Sequence, residues 1–190
     1  MTHPVAVFVS GTGRHMENFV QLSRSGELDI DVRLVLSSRS SALALEKAKA
    51  LDIPAVAVPG KGADHARYSQ AIFAAAARAG AETVLLAGFL RMLVIPDGWQ
   101  NRVLNIHPSL LPAFGGQGYY GNFVHQAVLD RGVQISGCTV HMVDDEYDHG
   151  RILLQKSCPV LPDDSADSLA DRVFAVEQEA YPEAVRNFLS

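Results

Sequence analysis

The sequence predicts an α/β fold: a mostly parallel β-sheet with helices on both faces, a mixed C-terminal part and a long C-terminal helix. Three observations predict it. Apolar β-branched runs alternate with amphipathic stretches through the first half of the chain. The first run, "VAVFVS" (5–10), is apolar almost throughout, as a strand covered on both faces is. Near the C-terminus two strand-like runs stand close enough to pair antiparallel, and a helical stripe follows them.

The elements follow in order. After "VAVFVS" come Gly11 and Gly13, then a helix from about Met16 to Ser25 closed by Gly26. "IDVRLVLSS" (30–38) reads as the second strand, "SALALEKAKALD" (41–52) as an amphipathic helix and "PAVAVP" (54–59) as the third strand. Residues 64–79 are Ala-rich and helical, with Gly80 as terminator. "ETVLLAGF" (82–89) is a fourth strand and Val103 to Ile106 a short fifth. "GNFVHQAVLDRG" (121–132) is helical; "ISGCTVHMV" (135–143) and "RILLQKSCPV" (151–160) are strands. In the tail, from Ser165 to Leu189, Val173, Val176, Ala180 and Val185 mark one helical stripe. Strand–helix alternation implies right-handed crossovers and a Rossmann-like sheet, whose ligands bind beyond the carboxyl ends of the strands.

Composition bounds the function. A chain of 190 residues, 48% hydrophobic, suits one domain with a core of its own. A net charge of -5 with no basic run gives nucleic acid no electrostatic footprint. No apolar run reaches the ~18 residues of a membrane span, and the N-terminal segment has no basic n-region, so the expected compartment is the cytoplasm. Cys138 and Cys158 lie in apolar strands and read as small buried hydrophobes. No residue pattern specifies an oligomeric state.

Two stretches carry chemistry. "SGTGRH" joins the first strand to the first helix. Its glycines allow close backbone approach, and the helix start offers free N–H groups. Met16 stands where a dinucleotide fingerprint needs a third glycine, and the second strand ends in Ser37, Ser38 and Arg39 without an acid. A single phosphate on Gly11, Thr12 and Gly13, helped by Arg14 or His15, fits better; a tight turn without ligand is the alternative. In "VLNIHPSLLPAFGG" (103–116), Asn105 and His107 are two apart on a strand and share a face. An amide donor and an imidazole there can stabilise an oxyanion and move a proton, or can simply bond a turn. The loop 144–150 crowds Asp144, Asp145, Glu146 and Asp148 between His141 and His149. A solvated acidic loop and one carboxylate folded inward to His107 are both open readings. Ligand spacing for a zinc site is absent.

"LAGFLRML", "NIHPSLLPAF" and "SGCTVHMVDDEYDHGRILLQ", in this order after "SGTG", resemble the folate-dependent formyltransferases, and among them the compact branch of the purine pathway. The resemblance covers nearly the whole chain. It implies one formyltransferase domain over 1–190, with a phosphate-binding βα half (1–100) and a catalytic, folate-binding half (101–190). The implied reaction is formyl transfer from 10-formyltetrahydrofolate to the amine of glycinamide ribonucleotide, without a metal. It also implies Asn105, His107 and Asp148 as the catalytic residues, and Gly11, Thr12, Gly13, Arg14, His15 and Glu177 as nucleotide contacts. Folate contacts would be His65, Arg67, Leu90, Arg91, Met92, Leu93, Asn105, Val143, Asp144 and Asp145. Another phosphorylated amine as acceptor, a formyl-folate hydrolase and a non-enzymatic nucleotide-binding module are the competing readings.

The chain departs from the resembled pattern in three places. Arg14-His15 replaces a Ser-Asn pair, and His65 stands where an Arg serves the ligand, with Arg67 two residues on. "FGGQGYYGNFVH" (114–125) is longer and richer in glycine, with His125 retained and Phe123 in place of a first histidine. Its glycines permit hinge motion, either as a lid or as an ordinary loop insertion.

Overall fold

The computed structural model describes residues 2–190. The elements run β1 (His3–Val9), α1 (Arg14–Ser25), β2 (Ile30–Ser37), α2 (Leu43–Ala50), β3 (Ala55–Ala57), α3 (His65–Arg78), β4 (Thr83–Leu86), β5 (Val103–His107), α4 (Asn122–Arg131), β6 (Ile135–Met142), β7 (Ile152–Pro159) and α5 (Ala166–Leu189). The seven strands form one sheet in the order β3-β2-β1-β4-β5-β6-β7. β1 pairs parallel with β2 and β4, β2 pairs parallel with β3, and β6 pairs antiparallel with β7. The predicted α/β class is therefore the observed one. Two compact units divide the chain, residues 1–104 and 105–190.

In the first unit, Val5 to Val9 of β1 are fully buried. Burial of this kind contributes about 1.5–3 kcal/mol per large side chain. Phe8 meets the rings of Phe73 on α3 and Phe89, with centroids 5.8 and 5.7 Å away. Helix α1 starts two residues before the predicted Met16, because Gly13 takes a left-handed backbone (φ 75°) and serves as its N-cap. A Cβ at Gly13 would lie 2.6 Å from that of Ala44 on α2, so glycine is required twice over. Two predicted strands are shorter than expected. β3 keeps only Ala55–Ala57 of 54–59, since the prolines at both ends bring no N–H to a ladder. β4 ends at Leu86, just before Gly88 turns left-handed at φ 73°.

In the second unit, β6 and β7 pair from Ile135↔Pro159 to His141↔Ile152, with an irregularity between Val140 and His141. α5 packs on β6, β7 and α4. Ser165 caps α5 and exchanges hydrogen bonds with Ser168 in a capping box. The predicted stripe on α5 needs one correction. Val173, Ala180 and Val185 are buried, but Val176 is only half-buried and Glu177 occupies the inner face in its place. The stripe follows the i, i+4 row Leu169–Val173–Glu177, from which residue 176 is rotated away. Both cysteines are free and buried. Burial, with Glu177 adding to it, pushes the Cys138 thiol up to about 12, which removes its thiolate chemistry. Among the described residues no helix is long and apolar enough to cross a membrane.

Candidate active site

β5 delivers the first two polar side chains. Its apolar Val103, Leu104 and Ile106 are buried, which anchors Asn105 and His107 at the strand end. His107 is buried, with its Nδ1 3.3 Å from Asp148 Oδ2. Its Nε2 donates to the carbonyl of Phe114 at 2.8 Å. Both partners are acceptors, so a protonated ring satisfies both and a neutral ring only one.

Asp148 is the inward-folded carboxylate of the acidic loop. Its backbone is left-handed (φ 53°), a conformation that Asp tolerates better than most residues. Two residues on, a Cβ at Gly150 would lie 1.9 Å from the carbonyl oxygen of Met142, so only glycine lets the loop return against β6. The Gly116 amide donates to Asp148 Oδ2 at 3.0 Å. Burial acts to raise the Asp148 carboxyl, but the His107 ring beside it and the Gly116 amide act against that. The carboxyl is held below its ordinary range.

His141, on β6, completes the cluster. Its Nδ1 donates to the Met142 carbonyl at 2.8 Å, which leaves the Nε2 lone pair to accept from the Asn105 amide at 3.1 Å. The 3.6 Å between His141 Nε2 and Asp148 Oδ1 is too long for a hydrogen bond. A cavity of about 280 Å³ opens beside Asp148, lined among others by Leu111, Gly115, Gly116 and Tyr147. The remaining predicted loop residues serve differently. Asp144 bonds the exposed His149 at 2.8 Å and accepts from the Glu146 amide, Val143 is half-buried and Asp145 is exposed. Among the described residues no group of His, Cys, Asp or Glu is arranged to hold a metal ion.

In the first unit, Gly11 and Thr12 are exposed at the end of β1, and Arg14 and His15 open α1. No side chain caps that helix. Ser10 is buried and bonds the Ser38 hydroxyl at 2.7 Å, while the Leu90 amide donates to Ser10 Oγ at 3.1 Å. One hydroxyl thus ties the glycine loop to the Leu90–Leu93 segment. Leu90 is exposed, Met92 is half-buried and Leu93 belongs to the core. Arg91 lays its guanidinium over the Tyr68 ring, 4.6 Å from the centroid. His65 and Arg67 are exposed on the first turn of α3, where Asp64 accepts from the Arg67 amide at 3.0 Å.

The family model described as "Formyl transferase" matches residues 3–185. The chain belongs to the formyl transferase family. It is 39% identical over 184 residues to a chloroplastic phosphoribosylglycinamide formyltransferase of Vigna unguiculata, covering 95% of this chain and 59% of the relative. It is 38% identical over 186 residues to a chloroplastic enzyme of the same name from Arabidopsis thaliana, covering 95% of this chain and 63% of that one. The chain therefore spans about three fifths of the length of these plant relatives. Among solved structures, glycinamide ribonucleotide transformylase 1 of Symbiobacterium toebii superposes with a TM-score of 0.90 at 34% identity. That match covers 97% of this chain and 86% of the other. The Brucella melitensis phosphoribosylglycinamide formyltransferase gives 0.88 at 36% identity, covering 99% and 96%.

Two participants in the polar core of this formyl transferase carry no assigned role in the sequence reading: His141, and His125, which is noted there only as a retained histidine of the 114–125 segment. The sequence marks His141 only as a flank of the acidic loop; its place in an otherwise apolar strand, "CTVHMV", is the available signal. His125 is buried on α4 with its Nδ1 lacking a hydrogen-bond partner. Burial pushes its imidazole down, Glu177 opposes that and His107 adds to it. Glu177, expected as a nucleotide contact, is buried on α5 within the same electrostatic neighbourhood.

Proposed function

We propose that this formyl transferase moves a formyl group from 10-formyltetrahydrofolate to the amine of glycinamide ribonucleotide. The observation that carries the reading is the Asn105–His107–Asp148 cluster, with His107 Nδ1 3.3 Å from Asp148 and Asn105 oriented by His141. The amine nitrogen attacks the formyl carbon, a C–N bond forms and the formyl oxygen becomes an oxyanion. Two donors answer it: the Asn105 N–H that His141 leaves unused, and His107, whose Nδ1 proton is shared between Asp148 and the oxyanion while Nε2 stays with Phe114. Asp148 takes part in moving the proton from the attacking amine to the folate nitrogen, whose bond to the formyl carbon then breaks.

In the same reading the nucleotide phosphate goes to the backbone of Gly11, Thr12 and Gly13 and the first turn of α1, with Arg14 and His15 at hand. Glu177 serves the nucleotide. The folate goes to Leu90–Leu93, with His65, Arg67 and the Val143–Asp145 segment as further contacts. An uncapped helix N-terminus supports the phosphate assignment.

The test follows folate absorbance while the protein is mixed with both substrates, against an Asn105→Ala, His107→Ala double variant. Turnover that requires the nucleotide and vanishes in the variant is the expected result. Deformylation without the nucleotide would make the protein a hydrolase. Folate binding without turnover would mean that a different amine is the acceptor.

A further inference from the structure

We propose that Thr139, supported across the strands by Gln155, is a positioning residue that holds His107 in its working orientation. The proposal rests on the formyl transfer reading above for what that orientation serves. The geometry itself lies wholly within residues 105–190.

Thr139 is fully buried on β6, and Gln155 is its direct partner on β7. The Thr139 hydroxyl donates to the carbonyl of Ser109 at 2.7 Å. It accepts from the Leu111 amide at 3.0 Å and from the Gln155 side-chain amide at 2.9 Å. A threonine hydroxyl has one proton and two lone pairs, and all three are used. Nothing is left with which to touch a substrate, so Thr139 acts only through the turn it holds. Gln155 Nε2 also donates to the Leu111 carbonyl at 2.9 Å. Both faces of the Leu111 residue, its N–H and its C=O, are thereby bound to the β6–β7 pair.

The clasp continues along the turn. Ser109 Oγ donates to the Ala113 carbonyl at 2.6 Å. The next residue is Phe114, left-handed at φ 54°, whose carbonyl accepts the His107 Nε2 proton at 2.8 Å. Two residues further, the Gly116 amide reaches Asp148 at 3.0 Å. One short segment thus starts at a saturated threonine and ends on the two partners of His107. The Phe114 carbonyl decides which ring nitrogen faces Asp148, because it demands a proton on Nε2. An imidazole without that acceptor is free to turn about its ring axis, and small misplacement of a reacting group is costly in rate.

The experiment uses Thr139→Val, which removes the hydroxyl at nearly constant volume, and Thr139→Ser, which keeps it. Two readouts are taken: steady-state formyl transfer, and the ¹H–¹⁵N side-chain resonance of His107 in ligand-free protein. Thr139→Val is expected to lower kcat about tenfold with both KM values within about twofold. It is also expected to lose the hydrogen-bonded Nε2 proton signal, while Thr139→Ser keeps the signal and most of the rate. A Thr139→Val protein with an unchanged His107 signal would overturn the proposal, as would a Thr139→Ser protein as impaired as the valine variant. Should Thr139→Val not fold, Gln155→Met supplies the second variant, since Gln155 is partly exposed, and the same two readouts decide. The His107 signal needs no substrate. A wild-type protein that fails to transfer formyl therefore sinks the proposed function, while the resonance still decides the role of Thr139.

Discussion

Asn105 donates its side-chain amide to His141 Nε2 across 3.1 Å, and His141 is itself locked by its Nδ1 bond to the Met142 carbonyl. The direction of the first bond follows from the second: a neutral ring that donates at Nδ1 accepts at Nε2. Asn105 is therefore aimed in advance of substrate binding. Replacing His141 with Phe keeps the volume and removes the acceptor, so the Asn105 amide is free to rotate. We expect kcat for formyl transfer to fall about tenfold, as loss of one orienting hydrogen bond of about 1.4 kcal/mol does. Binding of folate in equilibrium titration should change little. Unchanged kcat would show that Asn105 needs no support.

Asp148→Asn separates charge from shape. The amide oxygen still accepts from Gly116, so the loop keeps its anchor. The proton acceptor for the transfer is gone. Loss of a general acid–base group costs roughly 10²–10⁴ in rate, and kcat should fall at least about a hundredfold. A variant with wild-type kcat would remove Asp148 from the chemistry.

Stability should weaken on the acid side in two steps. Burial holds the His125 imidazole below its ordinary value, with Glu177 opposing and His107 reinforcing. The unfolded chain then takes up a proton that the folded chain refuses. This contribution is present above about pH 6.5 and is lost as pH falls toward the lowered value, with a slope of at most about 1.4 kcal/mol per pH unit. Asp148 has the same sign further down. Burial acts upward on it, while His107 and the Gly116 amide hold it below its ordinary range, so its contribution is present above about pH 4 and is lost as pH falls through its lowered value. The exposed His149, raised by its bond to Asp144, works in the opposite direction around neutrality. Urea unfolding of wild type and His125→Gln between pH 7 and 5 isolates the first step. The wild-type free energy should fall more steeply, and parallel curves would refute the assignment.

Gly150→Ala should be costly out of proportion to one methyl group. The new Cβ would overlap the Met142 carbonyl, which is backbone and cannot step aside. A loss of about 3 kcal/mol is expected in denaturant unfolding. Activity should fall with it, because Asp148 stands two residues upstream on the same turn. Stability within about 0.5 kcal/mol of wild type would mean that the loop can be rebuilt without its glycine.

Much of this is written in local pattern. Alternating apolar runs and amphipathic stretches announce the α/β sheet, and the spacing of Asn105 and His107 puts both side chains on one face at a strand end. Strands stop short of the pattern where prolines and Gly88 end the ladder early, because periodicity measures apolarity and not the supply of N–H groups. On α5 the apolar pattern points to Val176, whereas the helix turns Glu177 inward. A carboxylate on a buried face runs against the hydrophobic pattern and is stable only through neighbours brought from elsewhere in the chain.

The acidic loop draws the line most sharply. Composition leaves Asp144, Asp145, Glu146 and Asp148 equivalent, and only the likeness of the Asp-x-Gly segment to a known pattern singles out Asp148. In the fold, Asp144 turns to His149 and Asp148 turns inward to His107 and Gly116. The sequence by itself determined the elements and the chemical types at their ends, since those follow from periodicity and side-chain character over a few residues. Which carboxylate meets which imidazole, that His141 aims Asn105 and that a threonine 32 positions from His107 clasps its turn were decided by tertiary structure alone. Hydrogen bonds of about 3 Å between residues tens of positions apart leave no trace in local pattern.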